Sequence, residues 1–162
     1  MTDTAVQRLD ISAPPGAQEF TVSRIIDAPR DRVFKAHIDP QLIPKWWGPS
    51  RYETIVDNME PRSGGSWRYL NRAGDGTEFG FHGVFHEIVP PERITWTFEF
   101  EGMPGHVSLE TVTFEDLGGR TRITAHSIYQ SAQDRDAAVG SGMTEGIAET
   151  WDRLEALARE LA

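Results

Sequence analysis

Residues 134–162 decide the fold, and they read DRDAAVGSGMTEGIAETWDRLEALARELA. Apolar residues recur in this stretch every three or four positions, at Met143, Ile147, Trp151, Leu154, Ala158 and Leu161. That spacing places them on one side of a long amphipathic helix. Gly142 and Gly146 lie in the same segment, although a glycine costs a helix interior about 1 kcal/mol relative to alanine. We interpret the two glycines as space left between the helix and a facing sheet, and therefore predict a binding cavity there.

Upstream of this helix, the apolar pattern changes to the two-residue period of β-strands. We predict seven strands, at residues 20–27, 52–59, 66–72, 77–89, 93–101, 108–116 and 119–129. Two short helices follow the first strand, one beginning at Pro29 and one running from Asp39 to about Trp46. Gly80 and Gly83 are expected to mark bends or bulges. Because strands joined by short turns are antiparallel, we predict an α+β fold, a curved antiparallel sheet of six to seven strands around the C-terminal helix.

Length and composition narrow the function classes. The 162 residues fit one domain, which we place at residues 19–162 after an N-terminal lead-in of residues 1–18. A net charge of -9 argues against a nucleic-acid partner and against an anionic membrane surface. With no cysteine, the chain forms no disulfide and no thiolate metal site, which is compatible with the cytoplasm. No run of about 18 apolar residues predicts membrane insertion, and residues 1–18 have no secretory apolar core.

Aromatic residues that alternate along the strands are the main candidates for a binding site. Alternation assigns them, with Val112 and Phe114, to the concave face under the long helix. The predicted ligand-binding residues are Trp46, Trp67, Tyr69, Phe79, Phe81, Trp96, Phe98, Met143, Gly146 and Ile147. One interpretation is a cavity for a small hydrophobic molecule, because such sites are lined by apolar side chains. The other is a filled core of interdigitating aromatics.

Polar residues give weaker signals for chemistry, and we predict no catalytic residue, no metal ligand and no cofactor. The catalytic signatures G-x-S-x-G and H-E-x-x-H are absent from the sequence. His82 and His86 would lie roughly 13 Å apart along a strand and could not share one metal ion. If the cavity catalyses a reaction, His82 and His106 are the first candidates for its polar groups. Charged strand residues that could also enter the cavity are Arg68, Glu78, Glu87, Glu110 and Arg122.

The polar side of the last helix is expected to be a solvated surface. Asp152 and Glu155 lie near Arg159 on that side, at the spacing of surface ion pairs in helices.

Three segments carry a resemblance to a known family. They read RIIDAPRDRVFKAHIDPQLIPKWWGP (24–49), GGSWRYLNRAGDGTEFGFHGVFHEIVPPERITWTFEF (64–100) and GMTEGIAETWDRLEALA (142–158). Together with the element order they resemble the START-like superfamily of polyketide cyclases and Bet v 1, in the branch related to the C-terminal domain of the Hsp90 ATPase activator. The resemblance implies a helix-grip fold. The sequence departs from the family at Ile147, where a second aromatic residue is common. Residues 1–18 cannot be the activator's N-terminal chaperone-binding domain.

Three functions are consistent with this pattern. The first is binding of a small, mostly apolar molecule between the sheet and the C-terminal helix. The second is an enzyme of the cyclase or dehydratase type that uses the same cavity. The third is a protein-interaction module that stimulates an Hsp90-type chaperone, which the missing N-terminal domain argues against. Homodimerisation through an exposed aromatic residue such as Trp47 stays open.

Overall fold

A computed structural model describes residues 8–161, which form eight strands and four helices. The strands are β1 (Asp10–Ser12), β2 (Glu19–Ile26), β3 (Glu53–Met59), β4 (Ser66–Arg72), β5 (Glu78–Val89), β6 (Arg93–Phe100), β7 (Val107–Asp116) and β8 (Thr121–Tyr129). The helices are α1 (Arg30–Ile38), α2 (Ile43–Trp46), α3 (Ala132–Gly140) and α4 (Met143–Glu160). None of the helices described is long and apolar enough to cross a membrane.

All eight strands form one antiparallel sheet in the order β1-β2-β8-β7-β6-β5-β4-β3. The seven predicted strands and the two short helices after the first of them are confirmed. The eighth strand, β1, was not predicted; it pairs with residues 21–23 of β2 at the sheet edge. It falls within the predicted lead-in of residues 1–18, of which residues 1–7 lie outside the described part of the chain.

The C-terminal segment forms two helices where one was expected. Gly142 adopts φ +86°, a left-handed conformation that only glycine adopts without strain, and it separates α3 from α4. Helix α3 has its own start, because the Ser131 hydroxyl accepts a hydrogen bond of 3.0 Å from the Asp134 amide. Gly142 therefore turns the chain between two helices. Gly146 lies within the first turn of α4.

The filled part of the core lies under the C-terminal half of α4. Trp151, Leu154 and Ala158 are buried there. Helix α1 contributes Val33 and Phe34, and Phe34 packs edge-on against Phe114 of β7 with ring centroids 5.2 Å apart. Over this half of the helix, the predicted apolar stripe therefore packs against the sheet and helix α1.

A partly buried ion cluster joins β2 to α4, and it corrects the expected pairing on the polar side of this helix. Arg24 lies between Val22 and Ile26 on the inner face of β2, which all three residues share. Only 1% of the Arg24 side chain is exposed. Its guanidinium donates to Asp152 Oδ1 at 2.6 Å and to Glu155 Oε1 at 3.0 Å. The two carboxylates therefore face Arg24 and not Arg159, since the counter-charge comes from a strand distant in sequence.

Candidate functional site

A cavity of about 1480 Å³ lies between the concave face of the sheet and helices α3 and α4, and it is partly open to solvent. The segment that follows α2 lines the cavity at Trp47, and the loop before β7 and the start of α3 also line it. A cavity of this size, lined by apolar and aromatic side chains, is typical of small-molecule sites.

All ten residues predicted for the binding site line this cavity: Trp46, Trp67, Tyr69, Phe79, Phe81, Trp96, Phe98, Met143, Gly146 and Ile147. They come from α2, β4, β5, β6 and α4, so strand alternation and helix spacing bring them to one place. The aromatic rings contact one another, with centroids 4.7 Å apart for Trp67 and Tyr69 and 5.6 Å apart for Phe81 and Phe98. Their role in ligand binding stays a prediction.

The two adjacent tryptophans have different environments. Trp46 is buried, and its indole N–H donates to the Ala36 carbonyl at 2.9 Å, so it anchors α2 to α1. Trp47 follows the helix end and lies edge-on against Tyr69 and Phe81, at 5.1 and 5.3 Å between centroids. Trp47 is thus a second wall residue that the predicted set lacked, and it is half-buried, not an exposed ring.

Gly83 holds the aromatic wall in place through close packing. The Trp67 indole N–H crosses β5 to donate to the Thr97 carbonyl at 3.2 Å. A Cβ at Gly83 would overlap that carbonyl oxygen and lie 2.7 Å from the indole nitrogen. Gly80 is also closely packed, but on the outer face, where a Cβ would meet the Glu101 carboxylate. Of the bends or bulges predicted at Gly80 and Gly83, the bulge lies elsewhere, because the register of β5 and β6 shifts between Phe85 and Glu87.

The described strands contribute one carboxyl group to the cavity lining. Glu110 of β7 accepts hydrogen bonds of 2.7 Å from the hydroxyls of Ser108 and Ser127, one at each carboxylate oxygen. Burial raises the pKa of Glu110, and the two hydroxyls act in the opposite direction. Of the five charged strand residues considered, Glu110 is the one that enters the cavity. The other four are Arg68, Glu78, Glu87 and Arg122, which form ion pairs on other surfaces.

The two histidines proposed for cavity chemistry lie in different places. His82 is on the outer face, with Nδ1 2.9 Å from Glu101 Oε2, so its assignment to the cavity is wrong. It lies opposite Arg68 in the register of β4 and β5, on the other face of the sheet from its neighbour Phe81. His106 lines the cavity rim, where Nδ1 lies 3.0 Å from Asp134 Oδ2 at the start of α3. This pair bridges the loop before β7 and helix α3.

A third histidine, His37, lines the cavity and was not predicted. Its Nδ1–H donates to the Val33 carbonyl at 2.8 Å, and its ring packs on Trp46 and Phe114 at 4.6 and 5.0 Å between centroids. Burial lowers the pKa of His37 to about 4, so the imidazole is neutral at pH 7. Its place in α1 beside Val33, Phe34 and Ala36 is the sequence signal that could have indicated an inward side chain.

Across residues 8–161, no three His, Asp or Glu side chains converge closely enough to hold a metal ion. The cavity can instead bind through its aromatic surface and orient a bound molecule through Glu110, Ser108 and Ser127.

Comparisons with known proteins agree on the fold. The model of a family described as activator of Hsp90 ATPase homolog 1-like protein matches residues 27–159. A solution structure of a protein from Arthrobacter aurescens is 28% identical, with a TM-score of 0.85 over 94% of this chain and 92% of that one. A crystal structure from Rhodobacter sphaeroides is 23% identical, with a TM-score of 0.86 over 94% and 99%. No functionally curated protein matches the chain. The predicted helix-grip fold is confirmed.

Proposed function

This chain belongs to the family of activator of Hsp90 ATPase homolog 1-like proteins, and we propose that it binds a small, mostly apolar molecule in the cavity between its curved sheet and helix α4. Binding is driven by burial of apolar surface, which contributes about 25 cal/mol per Å². The few polar groups inside the cavity set the orientation of the bound molecule.

The observation that carries this proposal is the gap at Gly146. Gly146 lines the cavity, and a Cβ added there would meet no atom of a neighbouring element within 4 Å. Eight positions further along the same helix, Leu154 is completely buried. A filled core would bring side chains to van der Waals contact along the whole inner side of the helix. The contrast between these two positions supports a ligand cavity at one end and a packed core at the other.

Titration with N-phenyl-1-naphthylamine, a neutral apolar dye that fluoresces in dry sites, tests the proposal. We expect saturable binding to the wild type and at least about tenfold weaker binding to Gly146→Leu, since the new side chain occupies the cavity. The matched control is Ala156→Leu, at an exposed position of the same helix. Gly146→Leu should keep its melting temperature, because leucine is the better helix former. Full affinity in Gly146→Leu would rule out this location of the site.

A second candidate function is an enzyme of the cyclase or dehydratase type, and Glu110 favours it. A carboxyl group whose pKa is raised by burial in an apolar cavity is a candidate general acid or base. In this case Glu110→Gln abolishes turnover of a bound substrate and leaves its binding in place. A variant that keeps full turnover would exclude Glu110 as the acid or base.

A further inference from the structure

Glu110 occupies the middle of a row of side chains that crosses the concave face. Register places it directly opposite Trp96 on one side and Ser127 on the other. Phe85 lies opposite Trp96, and Phe20 lies opposite Ser127. All five residues line the cavity. The carboxyl group therefore sits among aromatic side chains, where a charge is poorly solvated.

The hydrogen bonds of Glu110 come from neutral hydroxyl groups, and His126, which acts on it electrostatically, forms its ion pair with Glu19. Ser127 Oγ donates to Oε1 and Ser108 Oγ donates to Oε2, and both serines are buried. A carboxylate oxygen accepts two hydrogen bonds, so each oxygen keeps room for one more donor. Among the described residues, no arginine or lysine forms an ion pair with Glu110. A buried carboxylate is normally paired with a cation.

The surroundings of the cavity also carry more negative than positive charge. The carboxylates of Asp134, Glu145 and Glu149 border it, against the guanidinium of Arg51. Arg51 itself lies over the ring of Tyr52, with its guanidinium carbon 4.9 Å from the centroid. The net charge of the whole chain, -9, has the same sign. An anionic ligand such as a fatty acid is therefore disfavoured, and a cation is attracted.

We propose that the ligand of this cavity is an apolar molecule with a protonated amine, and that Glu110 is the counter-ion that binds the amine. This inference rests on the proposed function. The ammonium group donates to the free lone pairs of the carboxylate, and the ring of Trp96, opposite Glu110 in the register, offers a cation–π contact. The apolar body of the ligand lies against Trp67, Tyr69 and Phe98.

The test is displacement of the bound dye by three probes of similar shape. They are 2-(1-naphthyl)ethylamine, 2-(1-naphthyl)ethanol and the carboxylate 1-naphthaleneacetate. We expect the amine to displace the dye at about tenfold lower concentration than the alcohol, and the carboxylate to be weakest. In Glu110→Gln the preference for the amine over the alcohol disappears, when each probe is compared at the dye affinity measured for that variant. The matched control is Glu115→Gln, at an exposed position of the same strand, which keeps the preference.

Other outcomes overturn the inference without touching the proposed function. They are equal displacement by amine and alcohol, an amine preference that survives in Glu110→Gln, or dye displacement by none of the three probes. If Glu110→Gln does not fold, the N-acetylated amine replaces the variant, since it keeps the shape and removes the charge; it should bind the wild type about tenfold more weakly than the free amine. Failure of the dye itself to bind the wild type would instead contradict the proposed function.

Discussion

The guanidinium of Arg24 lies 3.0 Å from Glu155 Oε1, so that an almost completely buried cation on β2 is neutralised by the C-terminal helix. Glu155 also accepts a hydrogen bond of 2.7 Å from the Asp27 amide through its second oxygen. One side chain thereby holds the helix, the strand and the turn that follows the strand. Removing the carboxylate would leave the Arg24 charge buried with Asp152 as its remaining anion.

Glu155→Gln is therefore expected to lower the free energy of unfolding by about 2–4 kcal/mol, because a buried charge loses a partner. The control is Glu160→Gln, at an exposed position of the same helix, which should change it by less than about 0.5 kcal/mol. Urea unfolding followed by tryptophan fluorescence measures both. Equal midpoints for the two variants would show that the ion pair adds nothing to stability.

Gly83→Ala is expected to destabilise the protein by about 1–3 kcal/mol and to move the Trp67 ring, since the new methyl group overlaps the Thr97 carbonyl. Gly74→Ala serves as the control, because a Cβ at that turn position meets nothing within 4 Å. Thermal unfolding reports the stability, and near-ultraviolet circular dichroism reports the ring. An unchanged spectrum in Gly83→Ala would contradict the packing described for Trp67.

Glu110→Gln is expected to make the ligand-free protein more stable at pH 8. Burial raises the pKa of Glu110, so the folded protein resists its ionisation more than the unfolded chain does. The wild type therefore loses stability as the pH rises through the ordinary carboxyl range towards the raised value. Below that range both states are protonated and the advantage of the glutamine disappears. Urea unfolding at pH 8 and at about pH 3 tests this, and a glutamine variant less stable at both would refute it.

His37 gives the opposite dependence on pH. Its pKa is lowered to about 4 in the folded protein, so between pH 6.5 and about 4 the unfolded chain binds a proton that the folded one rejects. Stability from this group is full above pH 6.5 and falls by about 3 kcal/mol as the pH reaches about 4. In His37→Gln this part of the acid sensitivity is absent. Identical pH dependence of the unfolding free energy in the two proteins would contradict it.

The sheet could be predicted from sequence because its strands alternate over seven or more residues. Strand β1 was missed because its three residues, Asp10–Ser12, are too few to show a period. The break between α3 and α4 was missed because Gly142 fits the helical spacing, and spacing alone does not reveal a positive φ. Both omissions concern features that depend on a neighbouring element or on backbone conformation.

The sequence predicts which strand residues of the candidate site face inward, because alternate residues of a strand share one face. Glu110 has the same parity as Val112 and Phe114, so its inward direction was readable from the sequence. Arg24 likewise has the parity of Val22 and Ile26. The partners of these charges were not readable, since they come from other strands or from α4. The sequence also could not tell which of Trp46 and Trp47 is buried against α1 and which lies at the cavity wall, because that depends on where α2 ends.

The separation of the two halves of α4 has an evolutionary consequence. Positions 143, 146 and 147 border the cavity, whereas the buried residues that hold the helix lie from Ala148 onward. Substitutions at the first three positions can reshape the cavity without disturbing the ion pair of Arg24 and Glu155. If the cavity binds a ligand as proposed, ligand preference can diverge among descendants of this chain, or be changed by directed evolution, while the fold tolerates each step.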